Sequence, residues 1–198
     1  MYGSYAEGLA EVNTPVYGAG MNDRLTKSDW IKHGLRTLAN EGANALKVGP
    51  MSTALKVSRG SFYWHFRDIA DFRSQLLRSW QERSTDQVIQ ELEAEKAEPG
   101  RLKHLMTRAF AVKRDLDRAI RSWAAEDEDV AKIVATVDDR RVAYMAKMLV
   151  AAGVESRRAL PRAAFMYWAY LGQTMVMDPR HSSIPPVAID DISDLFEK

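Results

Sequence analysis

Residues 57–66 read VSRGSFYWHF and place four aromatic residues and a histidine within five positions, directly after a Ser-Arg-Gly-Ser turn. This composition is unusual for a buried segment, because tyrosine, tryptophan and histidine carry polar atoms, and unusual for a loop, because the rings carry much apolar surface. Ser58 is a candidate N-cap, and Val57 and Phe62 have the spacing of a hydrophobic staple. The stretch therefore predicts a short helix over residues 59–65.

Two further helices are predicted before this one. Thr26 is a candidate N-cap with an acidic residue, Asp29, three positions later. The apolar residues that follow recur at helical spacing as Trp30, Ile31, Leu35 and Leu38. Gly42 ends this helix, and Gly49-Pro50 opens a short helical segment over residues 51–55. Three short helices, the last two joined by a turn of about three residues, predict a helix-turn-helix motif.

In a helix-turn-helix motif the second helix of the pair lies in the major groove of DNA, and its first residues meet the base edges. Phe62 and Phe66 are four residues apart and can both face the core. Trp64 is expected to contact either DNA sugars or the first helix, and plain packing is an alternative for His65. The residues expected to contact DNA are Lys47, Lys56, Ser58, Arg59, Gly60, Ser61, Tyr63, Trp64, His65 and Arg67.

The charge distribution agrees with a polyanionic partner for this part of the chain. The whole chain carries a net charge of +1. Residues 24–67 contain eight basic and two acidic residues, so this segment carries +6 and the remainder carries −5. A basic segment joined to an acidic one favours nucleic-acid binding by the first, and a solvated basic face is the alternative.

Two segments resemble the TetR family of transcriptional regulators: LTKSDWIKHGLRTLANEG at 25–42 and MSTALKVSRGSFYWHFRD at 51–68. The resemblance covers about residues 24–80, and the aromatic-His-Phe ending is its most specific part. It implies an all-α dimer with an N-terminal DNA-binding domain and a larger, variable C-terminal domain that binds a small molecule. The chain departs from the family where Lys56 replaces a glycine and where Ile69 replaces a lysine that contacts phosphate. Arg67 or Arg73 is expected to substitute for that lysine.

The predicted organisation is a flexible arm over residues 1–22, a helix-turn-helix domain over 23–68 and a helical effector-binding and dimerisation domain over 69–198. Helical spacing continues through the third segment, and no strand-like alternation occurs. Pro161 is expected to open a helix over 161–177, which with a last helix over 188–197 is expected to form the homodimer. Apolar side chains that can line a ligand cavity, or simply form core, are Trp80, Met106, Phe110, Trp123, Tyr144, Met145, Met148, Phe165 and Trp168.

Other classes of site find little support in the sequence. The chain has no cysteine, which removes disulfides and thiol chemistry and favours a cytoplasmic location. No apolar run approaches the length of a membrane span, and no phosphate-binding glycine loop occurs. The four histidines share no metal-ligand spacing, so no metal or other cofactor is predicted. The acidic run over 126–129 is expected to cap a helix.

These observations predict a regulator of transcription that binds operator DNA as a homodimer. It is expected to act as a repressor, to be released by a small-molecule effector and to have no enzymatic activity. The alternative is a small helical enzyme or ligand carrier whose first helices are only structural. Salt discriminates the two, because a protein that contacts several phosphates loses affinity for DNA as salt rises.

Overall fold

The computed structural model of the chain describes residues 25–94, 100–111, 115–178, 180–181 and 184–197. The predicted arm over residues 1–22 lies outside these residues. The described residues contain helices and no strand. The α-helices are α1 (Lys27–Glu41), α2 (Val48–Ala54), α3 (Arg59–His65), α4 (Ile69–Gln81), α5 (Gln87–Ala94), α6 (Arg101–Ala111), α7 (Asp115–Ala124), α8 (Glu128–Ala151), α9 (Ser156–Gly172) and α10 (Pro186–Glu197). None of these helices is both long enough and apolar enough to span a membrane.

Helix α1 begins and ends at the predicted residues. The backbone N–H of Asp29 donates to the Thr26 hydroxyl at 3.2 Å, and the backbone N–H of Thr26 donates to the Asp29 carboxylate at 2.9 Å. This reciprocal capping box satisfies N–H groups that have no partner inside the helix. Gly42 ends the helix with a φ of 81°, in the left-handed region that glycine tolerates best.

The turn between α2 and α3 is closed by two backbone hydrogen bonds. Lys56 N–H donates to the Thr53 carbonyl at 3.1 Å, and Val57 N–H donates to the Ser52 carbonyl at 3.0 Å. This is the pattern of a Schellman motif, which needs one left-handed residue after the helix. Lys56 takes that conformation, with a φ of 57°, and it is the one non-glycine residue with positive φ in the described part of the chain.

Two expectations about this motif need correction. Helix α2 begins at Val48 rather than at Met51, so Pro50 is its third residue; the missing N–H of Pro50 still lies in the first turn, where no partner is required. Ser58 is the N-cap residue of α3 by backbone geometry, but its hydroxyl makes no capping hydrogen bond. The predicted bounds of α3, 59–65, are confirmed.

Helices α4 and α5 form one continuous helical run. Asp68 caps its start by accepting the Asp71 N–H at 2.7 Å. A π-helical turn over Glu82–Asp86 joins α4 to α5, and the extra residue per turn rotates the side chains that follow. Trp80, at the end of the buried stripe of α4, lies next to this turn.

Two hydrophobic cores organise the helices. The first joins α1 to α4 with α7 and the first half of α8, and it includes Trp30, Phe62, Phe72 and Trp123. The second joins α6, the second half of α8, α9 and α10. Helix α8 has 24 residues, a length of roughly 36 Å, and therefore contributes to both cores. The helix-turn-helix domain thus packs directly on the larger helical domain through the first core.

The last two helices begin earlier than predicted. Helix α9 runs from Ser156 to Gly172 rather than over 161–177, so Pro161 lies inside the helix instead of opening it. The N–H groups of Arg158 and Ala159 both donate to the Glu155 carbonyl, which begins the helix without proline. Proline removes one helical hydrogen bond, and burial of Ala163, Met166 and Tyr167 offsets that cost. Helix α10 starts at Pro186 rather than at residue 188.

Candidate functional site

Helix α3 divides its aromatic residues between the core and the surface. Phe62 and Phe66 are completely buried. The Phe62 ring lies 5.3 Å from that of Trp30 in α1, and the Phe66 ring lies 4.9 Å from that of Phe72 in α4, both edge to face. These contacts fix the orientation of α3 against its neighbours, so the side chains on its opposite face are held rigidly toward solvent.

The outward face carries Tyr63 and Trp64, which are 58% and 81% exposed. Trp64 therefore does not pack on α1, and its expected contact with DNA stays a prediction. Ser58, Arg59 and Gly60 at the start of α3 are exposed as well, and Ser61 is half-buried. Exposed aromatic surface on a rigid helix is costly in water, so this face has the properties of a binding surface.

The Arg59 side chain of α3 lies across α2, the preceding helix of the motif. A Cβ atom at Gly49 would be 3.1 Å from Nη2 of Arg59, so the guanidinium covers the backbone of the first turn of α2. Gly49 makes this approach possible because it has no side chain. The guanidinium is therefore held at the junction of α2 and α3 and remains accessible.

His65 has a structural contact, as its alternative interpretation supposed. Its Nε2 lies 2.8 Å from the backbone carbonyl oxygen of Leu25, and the ring is half-buried. A carbonyl oxygen only accepts, so Nε2 carries the proton in this bond. His65 thereby ties the end of α3 to the residues that precede α1, and its Nε2–H is not available to DNA.

The basic residues around the motif differ in how free they are. Lys47 and Lys56 are exposed at the two ends of α2. The Arg67 side chain is almost fully exposed, with Nε 4.0 Å from the Asp71 carboxylate. The Arg73 guanidinium lies 5.8 Å from the centre of the Trp123 ring, so it packs against the first core. In this position it does not replace the lysine that the family has at the position of Ile69. Arg67 is the better placed of the two expected substitutes.

The second feature is a cavity of about 410 Å³ between the helices from α4 to α10, open to solvent on one side. This volume lies in the range of small-molecule sites. Five of the nine predicted lining residues border it: Trp80, Met106, Phe110, Tyr144 and Met145.

Four of the predicted lining residues lie outside this cavity. Trp123 belongs to the first core, under Arg73, and Met148 is buried in the second core. Phe165 and Trp168 are 59% and 66% exposed on the outer face of α9. Helical periodicity places a residue on a stripe, but it does not say whether the stripe faces a core, a cavity or solvent.

Sequence reasoning did not find the polar end of the cavity, which is centred on Asp117. The Asp117 carboxylate accepts from Trp80 Nε1 at 2.7 Å, from the Tyr170 hydroxyl at 2.9 Å and from Arg141 Nη1 at 3.3 Å. The Arg141 guanidinium also lies 5.5 Å from the centre of the Trp80 ring. Helices α4, α7, α8 and α9 therefore meet at one carboxylate.

The remaining donors of Arg141 are also used. Its Nε donates to the Thr85 hydroxyl at 2.9 Å, and its Nη2 donates to Ser84 Oγ at 2.9 Å and to the Ser84 carbonyl at 3.3 Å. Its Nη1 also contacts the Tyr167 hydroxyl at 3.4 Å. Thr85 and Ser84 belong to the π-helical turn, so the turn that interrupts α4 and α5 supplies the partners of this buried cation.

A second ion pair extends this network behind the cavity wall. Arg121 donates to both carboxylate oxygens of Asp138, at 2.6 and 3.0 Å, and the Tyr167 hydroxyl donates to the same carboxylate at 2.7 Å. Burial by itself lowers the pKa of Arg141, but Asp117 and two nearby tyrosine hydroxyls outweigh it and raise that pKa. Burial raises the pKa of Tyr167. Arg121 and Arg141 are therefore charged, and Tyr167 is neutral, over the physiological range.

One signal in the sequence could have revealed Arg141. It follows Val137 by four residues and precedes Tyr144 by three, so it occupies the apolar stripe of α8. A charged residue on such a stripe requires a buried partner. Asp117 directly follows the apolar Leu116, a spacing that does not place it on the apolar stripe of α7. Its partners come from three other helices, and no spacing in the sequence relates them.

Two other expectations concern acidic and metal-binding residues. Asp127, within the acidic run over 126–129, caps α8 by accepting the N–H groups of Asp129 and Val130, as predicted. In the described residues, no group of three or more histidine, aspartate or glutamate side chains is arranged to hold a metal ion.

Comparison with known proteins supports the architecture. No protein-family model matches the sequence, and no curated protein matches it either. The structure is similar to the crystal structure of the reduced form of NemR from E. coli, with a TM-score of 0.69 and 15% sequence identity. The match covers 87% of this chain and 97% of that chain. The chain therefore has the all-α fold of NemR, in which a helix-turn-helix domain precedes a larger helical domain.

Proposed function

We propose that the chain is a DNA-binding regulator of transcription of the TetR type, with no enzymatic activity. The observation that carries the proposal is the outward face of α3, where Tyr63 and Trp64 are exposed beside Arg59 while Phe62 and Phe66 anchor the helix. The net charge of +6 on residues 24–67 and the fold shared with NemR, a TetR-family protein, support it. In this proposal α3 enters the major groove and Lys47, Lys56 and Arg67 contact phosphates.

The proposed regulator acts as a homodimer through α9 and α10. Large apolar side chains are exposed on both helices, including Leu160, Phe165 and Trp168 on α9 and Leu195 on α10. An apolar surface of this kind on a protein is typical of an interface. A two-fold dimer would present two copies of α3 about 34–36 Å apart, matching half-sites one turn apart on DNA.

The proposed effector site is the 410 Å³ cavity. Helix α4 connects it to the DNA-binding face, because Phe72 packs on Phe66 near one end and Trp80 borders the cavity at the other. An effector that binds better to a dimer with a different spacing of its α3 helices would shift the population away from DNA. We therefore propose that the protein is a repressor and that effector binding releases it from DNA.

Fluorescence anisotropy tests the DNA-binding part of this proposal. The affinity for DNA from upstream of the protein's own gene is measured at several salt concentrations, with random DNA as competitor. We expect tight, competitor-resistant binding that falls steeply with salt. We expect Arg59→Ala to weaken specific binding by about 1–3 kcal/mol if Arg59 reads a guanine. Arg118→Ala, which removes an exposed arginine charge on α7, away from α3 and from the proposed dimer helices, is the matched control and should leave binding unchanged.

The alternative, a ligand carrier or small helical enzyme, is favoured by the cavity alone. Such a protein would bind its ligand with little dependence on salt and would not discriminate between the upstream fragment and random DNA. Equal affinity for the two DNAs, unaffected by Arg59→Ala, would contradict the regulator.

A further inference from the structure

The chemistry of the cavity also limits which molecules it can bind. Most of its lining is apolar and comes from α5, α6, α8, α9 and α10, with Val88, Leu92, Leu105, Met166 and Ile192 as examples. Polar groups are concentrated at the end where Asp117 and Arg141 meet. The charge of that end therefore decides whether the cavity favours a neutral or an ionised ligand.

The charges at the polar end cancel in pairs. Arg141 is paired with Asp117 at 3.3 Å, and Arg121 is paired with Asp138 at 2.6 Å. Both pairs are at least partly removed from water, so a bound ion would meet a balanced pair and no surplus opposite charge. Moving an ion out of water without a counter-charge costs several kcal/mol or more, about what a small ligand gains from apolar burial.

The donors at this end are also committed. A guanidinium has five N–H groups. Those of Arg141 have five acceptors: Asp117, Thr85, the Tyr167 hydroxyl, and both the hydroxyl and carbonyl oxygens of Ser84. The indole N–H of Trp80 and the hydroxyl of Tyr170 donate to Asp117. A carboxylate or sulfonate would therefore have to break existing hydrogen bonds to obtain a donor from Arg141, Trp80 or Tyr170.

Two other arginines border the cavity, where it meets solvent. Arg83 and Arg108 are exposed, and Arg108 forms an ion pair with Glu91 of α5. Because exposed charges are screened by water and salt, they contribute little to an ion held in the apolar interior.

We propose that the cavity binds an uncharged, mostly apolar molecule and rejects the anionic analogue of the same shape. The inference deepens the proposed function, since it takes the cavity as the effector site and names the class of effector. Asp117 is the residue that sets this selectivity, because its carboxylate neutralises the one buried cation that borders the cavity among the described residues.

A matched pair of fluorescent probes tests this inference on the full-length protein. N-phenyl-1-naphthylamine is uncharged, and 8-anilino-1-naphthalenesulfonate has the same rings with one added sulfonate. We expect the uncharged probe to bind about tenfold or more tightly than the sulfonate. Ala109→Trp, which places a large side chain at the cavity wall, should abolish its binding. Ala135→Trp on the exposed side of α8 is the matched control and should leave binding unchanged.

The outcomes separate cleanly. The relevant binding is the part that Ala109→Trp abolishes. If that binding favours the uncharged probe by less than about tenfold, the proposal is overturned. It is also overturned if Ala109→Trp abolishes no probe binding. Asp117→Asn, checked for folding by circular dichroism, should raise the affinity for the sulfonate relative to the uncharged probe. If folded Asp117→Asn has the same ratio of affinities for the two probes as the wild type, the proposal is also overturned. If Asp117→Asn does not fold, the ratio measured for the wild type decides.

DNA binding is not a readout in this experiment. A protein that selects the uncharged probe but ignores DNA would lose the proposed regulatory function and keep this selectivity. A protein that binds DNA tightly but prefers the sulfonate would keep the regulatory function and lose the selectivity.

Discussion

Lys56→Gly is predicted to stabilise the protein. Lys56 closes the turn between α2 and α3 with a φ of 57°. An L-residue in this conformation brings its Cβ too close to the following carbonyl oxygen, at a cost of roughly 1–2 kcal/mol. Gly153, which ends α8 with the same pattern of two backbone hydrogen bonds, avoids this cost. The Lys56 side chain is exposed, so its removal loses little packing.

The net gain is the relief of this strain minus the entropy that glycine adds to the unfolded chain. Glycine costs about 0.5–1 kcal/mol in that respect. The free energy of unfolding should therefore rise by about 0.5–1 kcal/mol. For a chain of this length the increase in Tm would be roughly 1–4 °C.

Lys56→Ala is the matched control, because it removes the same charge and side chain but keeps Cβ. Urea unfolding is followed by circular dichroism at one fixed protein concentration, since the stability of a dimer depends on concentration. We expect the glycine variant to unfold at higher urea than both the wild type and the alanine variant. An alanine variant as stable as the glycine variant would refute the argument from backbone strain.

Three further predictions concern packing, the exposed face and pH. A Cβ at Gly34 would overlap two side chains of α4, so Gly34→Ala should lower the free energy of unfolding, measured with urea, by about 1–3 kcal/mol. Gly172 has open space around it, so Gly172→Ala should not lower it. Equal effects of the two substitutions would contradict the packing of α1 on α4. Trp64→Ala should weaken DNA binding in the anisotropy assay and change stability by less than about 0.5 kcal/mol, while Phe62→Ala should cost about 3–5 kcal/mol; the reverse order would refute the division of α3 into two faces. The hydrogen bonds of the capping box lower the pKa of Asp29, so its contribution to stability is present at neutral pH and is lost as the pH falls below about 5. On acid titration, Asp29→Asn should lose stability less steeply than the wild type. Identical loss of stability in the two proteins would exclude this contribution.

The presence of the first three helices and the bounds of α1 and α3 could be predicted from sequence because local signals determine them, whereas α2 starts three residues before its predicted start. The bounds of α3 follow from the residues around it, and the start of α1 follows from Thr26 and Asp29. The start of α9 could not be predicted, because proline is common in the first turn of a helix and unfavourable in its interior, whereas Pro161 lies inside α9, where burial of its neighbours offsets the cost. The domain boundary at 68/69 stays a prediction, and the first core extends across it.

The two candidate sites also differ in how far local sequence signals determine them. The outward face of α3 follows from one short segment, since burial of Phe62 and Phe66 determines where Tyr63 and Trp64 point. The role of His65 depends on Leu25, forty residues away. The cavity depends on the contacts of seven helices, α4 to α10, and on a π-helical turn, which no local pattern indicates.

Selection of bound sequences from a random DNA duplex library tests the central claim most directly, since it requires no knowledge of the operator. The full-length protein is incubated with the library, and the bound duplexes are sequenced over several rounds. We predict enrichment of a two-fold symmetric motif whose half-sites are about one helical turn, 10–10.5 base pairs, or a multiple of it apart. Arg59→Ala should lose the preference at one position of each half-site while Arg118→Ala keeps it. No enriched sequence, or a motif that Arg59→Ala leaves intact, would contradict the account.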